Sequence, residues 1–227
     1  MDTYNVAIDG PAGAGKSTIA RLVAGALGFV YVDTGAMYRA VTWKVLQEGF
    51  SPSQTEQVIA LAKKMSITLL PGPDGQKVLV DGLDVTKDIR TTVITAHVSQ
   101  IASIGEIRAM LVEKQKRMAF AKGVVMDGRD IGTHVLPDAE IKIFLTASAR
   151  ERAERRYKEL QRAGDCTMSL EELERDIARR DQMDQEREIS PLVKAHDAIL
   201  LDSTRLSISE VVDKILKLCK AKVSGGD

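Results

Sequence analysis

A short apolar run, Tyr4-Asn5-Val6-Ala7-Ile8, leads into Asp9-Gly10-Pro11-Ala12-Gly13-Ala14-Gly15-Lys16-Ser17-Thr18, and no other stretch constrains the fold as strongly. Gly10 to Ser17 follow the spacing G-x-x-x-x-G-K-S, which reads as a phosphate-binding loop. Gly10, Gly13 and Gly15, with the small Ala12 and Ala14, let the backbone curl until several N–H groups converge on one anion. Lys16 adds a mobile positive charge for the terminal phosphates of a nucleotide, and Ser17 offers a hydroxyl to Mg²⁺. Ser17 to Leu27 carries apolar residues at helical spacing, so the helix directs its positive end at the same anion. A strand, this loop and a helix in succession predict a bound nucleoside triphosphate.

Four more apolar runs have the length of buried parallel strands: Phe29–Val32, Gly123–Met126, Glu140–Leu145 and Ala198–Leu201. Helical periodicity fills the intervals, at about 36–46, 53–64, 91–101, 105–122, 147–161, from Ser169, and 207–220. Val93, Ile94, Val98 and Ile101 are expected on one buried face. The pattern is that of an α/β doubly wound sheet of five parallel strands, with helices on both faces. Two segments depart from it. Ser66–Leu70, Gln76–Val80 and Leu83–Val85 are strand-like pieces divided by Pro71-Gly72-Pro73-Asp74-Gly75 and Asp81-Gly82, which predicts a small antiparallel insert at about 66–90. Two charged helices joined by Gly164-Asp165 and poor in apolar residues read as a mobile lid at about 150–190. Ser169 with Glu172 opens the second as a capping box. All of it, 1–227, is read as one domain.

Ligand loops in such a sheet gather at the carboxyl ends of its strands, here 9–17, 33–39, 127–133 and 202–205. Asp33 or Thr34 can cap the helix that follows, but capping leaves Arg39 unexplained. Asp127-Gly128-Arg129-Asp130-Ile131-Gly132-Thr133 places two aspartates and an arginine behind an apolar strand, a charge density seldom needed for structure alone. Arg108 stands near a helix start, against the dipole preference, where a solvated surface charge and a ligand contact both fit. Arg180, Asp184 and Arg187 share a helix face at i, i+4 and i+7. A second pocket rich in Arg39, Arg108, Arg129, Asp33 and Asp130 thus faces the triphosphate loop. Arginine forks suit a second phosphate. A phosphorylated acceptor is already anionic, so transfer to it needs alignment and charge neutralisation rather than a general base.

Lys plus Arg and Asp plus Glu each number 32, so no basic field argues for nucleic acid, and aromatics at 4% offer few stacking platforms. A guanine-nucleotide switch would need an N-K-x-D stretch, yet the only asparagine is Asn5. Cys166 and Cys219 lie far apart without metal-ligand spacing and are read as free thiols. His97, His134 and His196 show no ligand spacing. The first strand begins by about Tyr4 and no apolar run has membrane-spanning length, so the expectation is a cytoplasmic protein without membrane contact. Nothing requires an obligate protein partner, and a monomer is the default.

Asp9-Gly10-Pro11-Ala12-Gly13-Ala14-Gly15-Lys16-Ser17, Asp33-Thr34-Gly35-Ala36-Met37-Tyr38-Arg39, Asp127 to Thr133 and Leu201-Asp202-Ser203-Thr204 together resemble the bacterial cytidylate kinases over nearly the whole chain. The second and third motifs are far more specific than the loop. The resemblance implies transfer of the γ-phosphoryl group of ATP to CMP and dCMP with Mg²⁺; a related acceptor such as UMP is the alternative. It implies that Arg39 and Arg129 hold the acceptor phosphate, with Asp33 and Thr34 close by. Ser99, Arg108 and Asp130, helped by Arg187, would read cytosine. Arg180 and Asp184, with Ser99, would meet the pentose hydroxyls. Arg152, Arg155 or Arg156 would close over the transferring group, and the sequence leaves open which. The antiparallel insert resembles the extra monophosphate-binding segment of this family. Thr34 in place of Ser is a minor departure from the resembled pattern and keeps the hydroxyl.

Overall fold

A computed structural model describes residues 3–72, 75–164 and 168–224. Its centre is a parallel sheet of five strands: β1 (Asn5–Asp9), β2 (Val30–Asp33), β6 (Val124–Gly128), β7 (Ile141–Thr146) and β8 (Ile199–Asp202), in the order β2-β6-β1-β7-β8. Both β1 and β6 are buried along their whole length, as expected of strands covered on two faces. Alternation along β1 sends Val6 and Ile8 to one face and Ala7 to the other. On the first face α1 (Lys16–Leu27) and α8 (Ile208–Ser224) supply Ile19, Val23, Val211 and Ile215. On the second, Ala7, Val32 and Met126 meet Ile131, Val135 and Leu136, with Val112 and Met118 of α5 (Gly105–Met118) against them, while α2 (Thr34–Gln47), α3 (Thr55–Lys64), α4 (Thr92–Ala102) and α5 share a further apolar cluster. The chain leaves β1 for the sheet edge at β2 and later returns β6 between them. That reversal opens a crevice at the carboxyl ends of β2, β6 and β1. The register there is tight: Asp33 lies opposite Asp127, and Asp9 opposite Gly128.

The antiparallel sheet is β3 (Ile67–Gly72), β4 (Gly75–Val80) and β5 (Leu83–Asp84). Ile67, Val78 and Val80 bury against Met37, Val41 and Val45 of α2. Gln76 stitches this sheet to the main one: its Oε1 accepts from Asp33 N–H at 3.0 Å and its Nε2 donates to Tyr31 C=O at 2.9 Å. One amide side chain thus continues the ladder beyond the edge strand.

Several boundaries and faces differ from the sequence expectation. Val93 is 57% exposed, because the buried face of α4 is Ile94, Ser99, Ile101 and Ala102. The helix expected to reach Lys122 stops at Met118, and Lys122 takes a positive φ in the turn into β6. After Asp130 the chain makes a π-helical turn, Ile131–Val135, which periodicity did not foretell. The charged pair α6 (Ala149–Ala163) and α7 (Leu170–Glu186) has an apolar seam of its own, formed by Ala153, Leu160, Leu173 and Ile177. Few apolar residues suffice, since two antiparallel helices need only one stripe each. Cys219 is free and buried on the core-facing side of α8; Cys166, Asp165 and the Pro73-Asp74 part of the expected turn lie outside the described residues.

Candidate active site

Gly10 takes φ +149°, and a Cβ there would sit 1.9 Å from the Leu145 carbonyl oxygen, so only glycine lets β1 pass β7 into the loop. Gly15, at φ 88°, is the N-cap of α1. Lys16 is buried, and its Nζ donates to the Pro11 carbonyl at 2.7 Å, folding the charge back over the loop. Burial, with Arg129 close by, pushes its ammonium down to about 7 despite the nearby aspartates. Ser17 Oγ donates to Asp127 Oδ2 at 2.9 Å, and Tyr31 Oη donates to Asp127 Oδ1 at 3.0 Å. Burial and the neighbouring Asp33 raise Asp127 to about 6. Asp9, at the end of β1, accepts from the Ile131 and Gly132 N–H groups at 2.8 and 2.7 Å. The strand that carries the donor loop therefore also anchors the turn after Asp130. Burial raises Asp9 to about 6 in spite of those two bonds.

Asp33 does two jobs at once. It caps α2 by accepting from Ala36 N–H at 2.8 Å, while its second oxygen holds Arg39 at 2.8 Å and Arg90 at 3.2 Å. Burial would raise its carboxyl, but the two guanidinium groups keep it below the ordinary range. Asp33 thus stands behind Arg39, outside the pocket lining. Thr34 lines the pocket, and its hydroxyl already donates to the Asp127 carbonyl at 2.7 Å. Arg129 donates through Nε to Asp184 at 2.8 Å, a bond from the β6 loop to α7.

Arg108 is only 2% exposed. It pairs with Asp130, donates to the Ala102 carbonyl at 3.0 Å and stacks 5.5 Å from the Tyr38 ring centroid. The even choice left by the sequence falls against a solvated charge. Arg187 was expected on the α7 face; the helix ends at Glu186, and Arg187 is extended at φ −61° and ψ 140°. That extension still brings it within 3.7 Å of Asp130 and 3.9 Å of Asp184.

One cleft is lined by Thr34, Gly35, Tyr38, Arg39, Val98, Ser99, Ala102, Arg108, Gly128, Arg129, Asp130, Arg180, Asp184 and Arg187. Five buried polar atoms lack a hydrogen-bond partner among the described residues: Tyr38 Oη, Arg39 Nε, Arg108 Nε, Arg180 Nε and Arg187 Nη2. All five residues line this cleft. Unmet donors are costly when buried, so a site that gathers them is built for an acceptor-rich ligand.

The three lid arginines separate. Arg152 is buried, donating to the Ala147 and Ala12 carbonyls at 2.9 Å each. Arg155 reaches the loop after β8, donating to Ser203 C=O at 2.8 Å, and lies against Gly15. Arg156 pairs with Glu159 at 3.2 Å on the outer side of α6. The sequence assigns no specific role to Asp9, Tyr31, Tyr38, Arg90 or Asp181, and marks Asp127 only as a member of a charge-dense stretch, yet all six touch this network. Asp9 and Asp127 had a signal, since both end a buried strand. Arg90 and Asp181 had none, because their partners lie far along the chain. Among the described residues no group of three or more His, Cys, Asp or Glu gathers to hold a metal, and no helix is long and apolar enough to cross a membrane.

The cytidylate kinase family profile matches residues 6–221. The chain is 55% identical over 221 residues to cytidylate kinase of Desulfitobacterium hafniense (strain Y51), covering 97% of this chain and 94% of that one. It is 52% identical over 218 residues to cytidylate kinase of Bacillus subtilis (strain 168), covering 96% and 97%. Among solved structures, an uncharacterized protein from Eubacterium ventriosum ATCC 27560 aligns with a TM-score of 0.52 at 12% identity, over 97% of this chain and 99% of that one, a likeness of fold.

Proposed function

The chain belongs to the cytidylate kinase family, and from that premise and the site geometry we propose that it transfers the γ-phosphoryl group of ATP to CMP and dCMP, with the residue roles that follow. The observation that carries the assignment of the cleft is the set of five buried polar atoms without a hydrogen-bond partner, all on residues that line one pocket. Gly10 to Thr18 cradle the donor phosphates, and Lys16 leaves the Pro11 carbonyl for the transferring group. Arg39 and Arg129 hold the acceptor phosphate, kept in place by Asp33 and Asp184. Asp130, fixed by Arg108, accepts from the exocyclic amine of cytosine; uracil would set an acceptor against that carboxylate. Ser99 and Arg187 complete the base end, and Arg180 and Asp184 meet the sugar hydroxyls.

An oxygen of the acceptor phosphate forms the new bond to the γ-phosphorus. The bond from that phosphorus to the β,γ-bridging oxygen breaks, and its electron pair leaves on ADP. No side chain removes a proton, because the attacking oxygen is already anionic. Of the three arginines Arg152, Arg155 and Arg156 on the helical hairpin at about 150–190, which we take as a lid, Arg152 and Arg155 lie against the phosphate loop and supply positive charge there. The antiparallel sheet at about 66–90 serves the monophosphate, through Gln76 and Arg90 on Asp33.

Ser17 and Asp127 fit a Mg²⁺ ion: a hydroxyl bonded to a buried carboxylate that burial and Asp33 have raised to about 6 is an anionic site in want of a cation. When bound, Mg²⁺ neutralises charge on the β- and γ-phosphates.

The test is an ADP-release assay with CMP, dCMP, UMP and AMP in parallel. CMP and dCMP should give the highest kcat/KM; preference for UMP or AMP overturns the cytosine assignment.

A further inference from the structure

Helix α7 carries two aspartates three residues apart, and they grip opposite halves of the cleft. Asp184 holds Arg129 on the acceptor side at 2.8 Å. Asp181 reaches the donor loop: its Oδ1 accepts the Ala12 N–H at 3.3 Å, and its Oδ2 pairs with Arg152 Nη1 at 2.6 Å. The same Nη1 donates to the Ala12 carbonyl at 2.9 Å. These groups close a ring around Ala12, whose N–H belongs to the Pro11–Ala12 peptide and whose C=O belongs to the Ala12–Gly13 peptide. Arg152 is 5% exposed and Asp181 9%, so little water can substitute for either. Helix α6 comes close enough here that a Cβ on Gly13 would sit 3.3 Å from Arg152 Cβ.

We propose that Asp181 is a positioning residue for the nucleotide donor. It fixes the plane of the Pro11–Ala12 peptide directly and that of the Ala12–Gly13 peptide through Arg152, and so seats the α6–α7 hairpin on the phosphate loop. Peptide orientation matters because a phosphate nest works only when its N–H groups converge. With the Ala12 N–H committed to Asp181, the following N–H groups of the loop are left aligned for the anion. Asp181 also neutralises Arg152, so a buried cation does not stand unpaired beside the loop. Donor affinity and hairpin seating then depend on the same carboxylate, while the acceptor phosphate depends on its neighbour Asp184. The inference rests on reading Gly10–Ser17 as the donor loop and is independent of the acceptor's identity.

The experiment is calorimetric titration with MgADP and, separately, with CMP, on the wild type, Asp181→Asn, Arg152→Lys and the double variant, with thermal melting alongside. Asp181→Asn should weaken MgADP about tenfold and lower kcat, with CMP affinity within about twofold of wild type. The double variant should bind MgADP no more weakly than the worse single variant, since both belong to one ring. MgADP affinity that is unchanged or tighter overturns the proposal. So does equal weakening of MgADP and CMP with a lowered melting temperature, which would mark Asp181 as part of general stability. A wild type that binds MgADP but not CMP would defeat the cytidylate assignment and leave the MgADP comparison decisive for Asp181.

Discussion

Asp130 and Lys16 show how burial converts ordinary side chains into reporters of ligand. Asp130 is buried against Arg108 and within 3.7 Å of Arg187, so the cleft holds its carboxylate with cations on two sides. Asp130→Asn would present an amide donor to the cytosine amine and leave Arg108 short of its partner. KM for CMP should rise more than about tenfold, with MgADP affinity nearly unchanged. Steady-state kinetics and a nucleotide titration separate the two, and an unchanged CMP constant would remove Asp130 from base recognition. Lys16 is pushed down to about 7 by burial, with Arg129 adding to it. Donor phosphates favour its charged form, so nucleotide binding above about pH 7 takes up protons. Asp127, raised to about 6, is already ionised there and adds none. Titration of MgADP at about pH 8 in buffers of different ionisation enthalpy should reveal uptake; heats independent of buffer would contradict the Lys16 environment.

At the scale of elements, the cleft is assembled by short connections between rigid pieces. The π-helical turn after Asp130 hangs from Asp9, and the small sheet hangs from β2 by Gln76. The helical hairpin is the exception, since its seam of Ala153, Leu160, Leu173 and Ile177 is separate from the main core clusters. Leu173→Ala should cost the hairpin on the order of 2–5 kcal/mol, the usual range for truncating a buried leucine. Hydrogen exchange should then accelerate across α6 and α7 while β1 and β6 keep their protection. Uniform acceleration through the central sheet would show the hairpin and sheet to be one cooperative unit. The sequence foresaw these helices from their capping box and charge pattern. It missed the seam because four apolar side chains spread over two helices make no strong period in either.

For the whole molecule, zero net charge conceals an uneven distribution. The cleft is lined by five arginines, Arg39, Arg108, Arg129, Arg180 and Arg187, against two aspartates, Asp130 and Asp184. An excess of cations focused in one crevice attracts an anionic acceptor over a distance that salt shortens. KM for CMP should therefore rise several-fold between about 0.05 and about 0.5 M salt, while the melting temperature moves little. A flat KM would place the acceptor's affinity in short-range contacts alone. The phosphate loop, the parallel strands and the grouping of Arg39, Arg129 and Asp130 at strand ends were legible in the chain, because glycine spacing and apolar period are local properties. The sequence by itself therefore determined the doubly wound sheet and the loop at its crevice. Tertiary structure decided what no window of residues contains. Asp33 stands behind Arg39 together with Arg90, Arg108 is buried against Asp130, and Asp181 closes on Ala12 from the far side of the chain. Buried charges take partners by proximity in space, and desolvation makes those partners obligatory wherever in the sequence they lie.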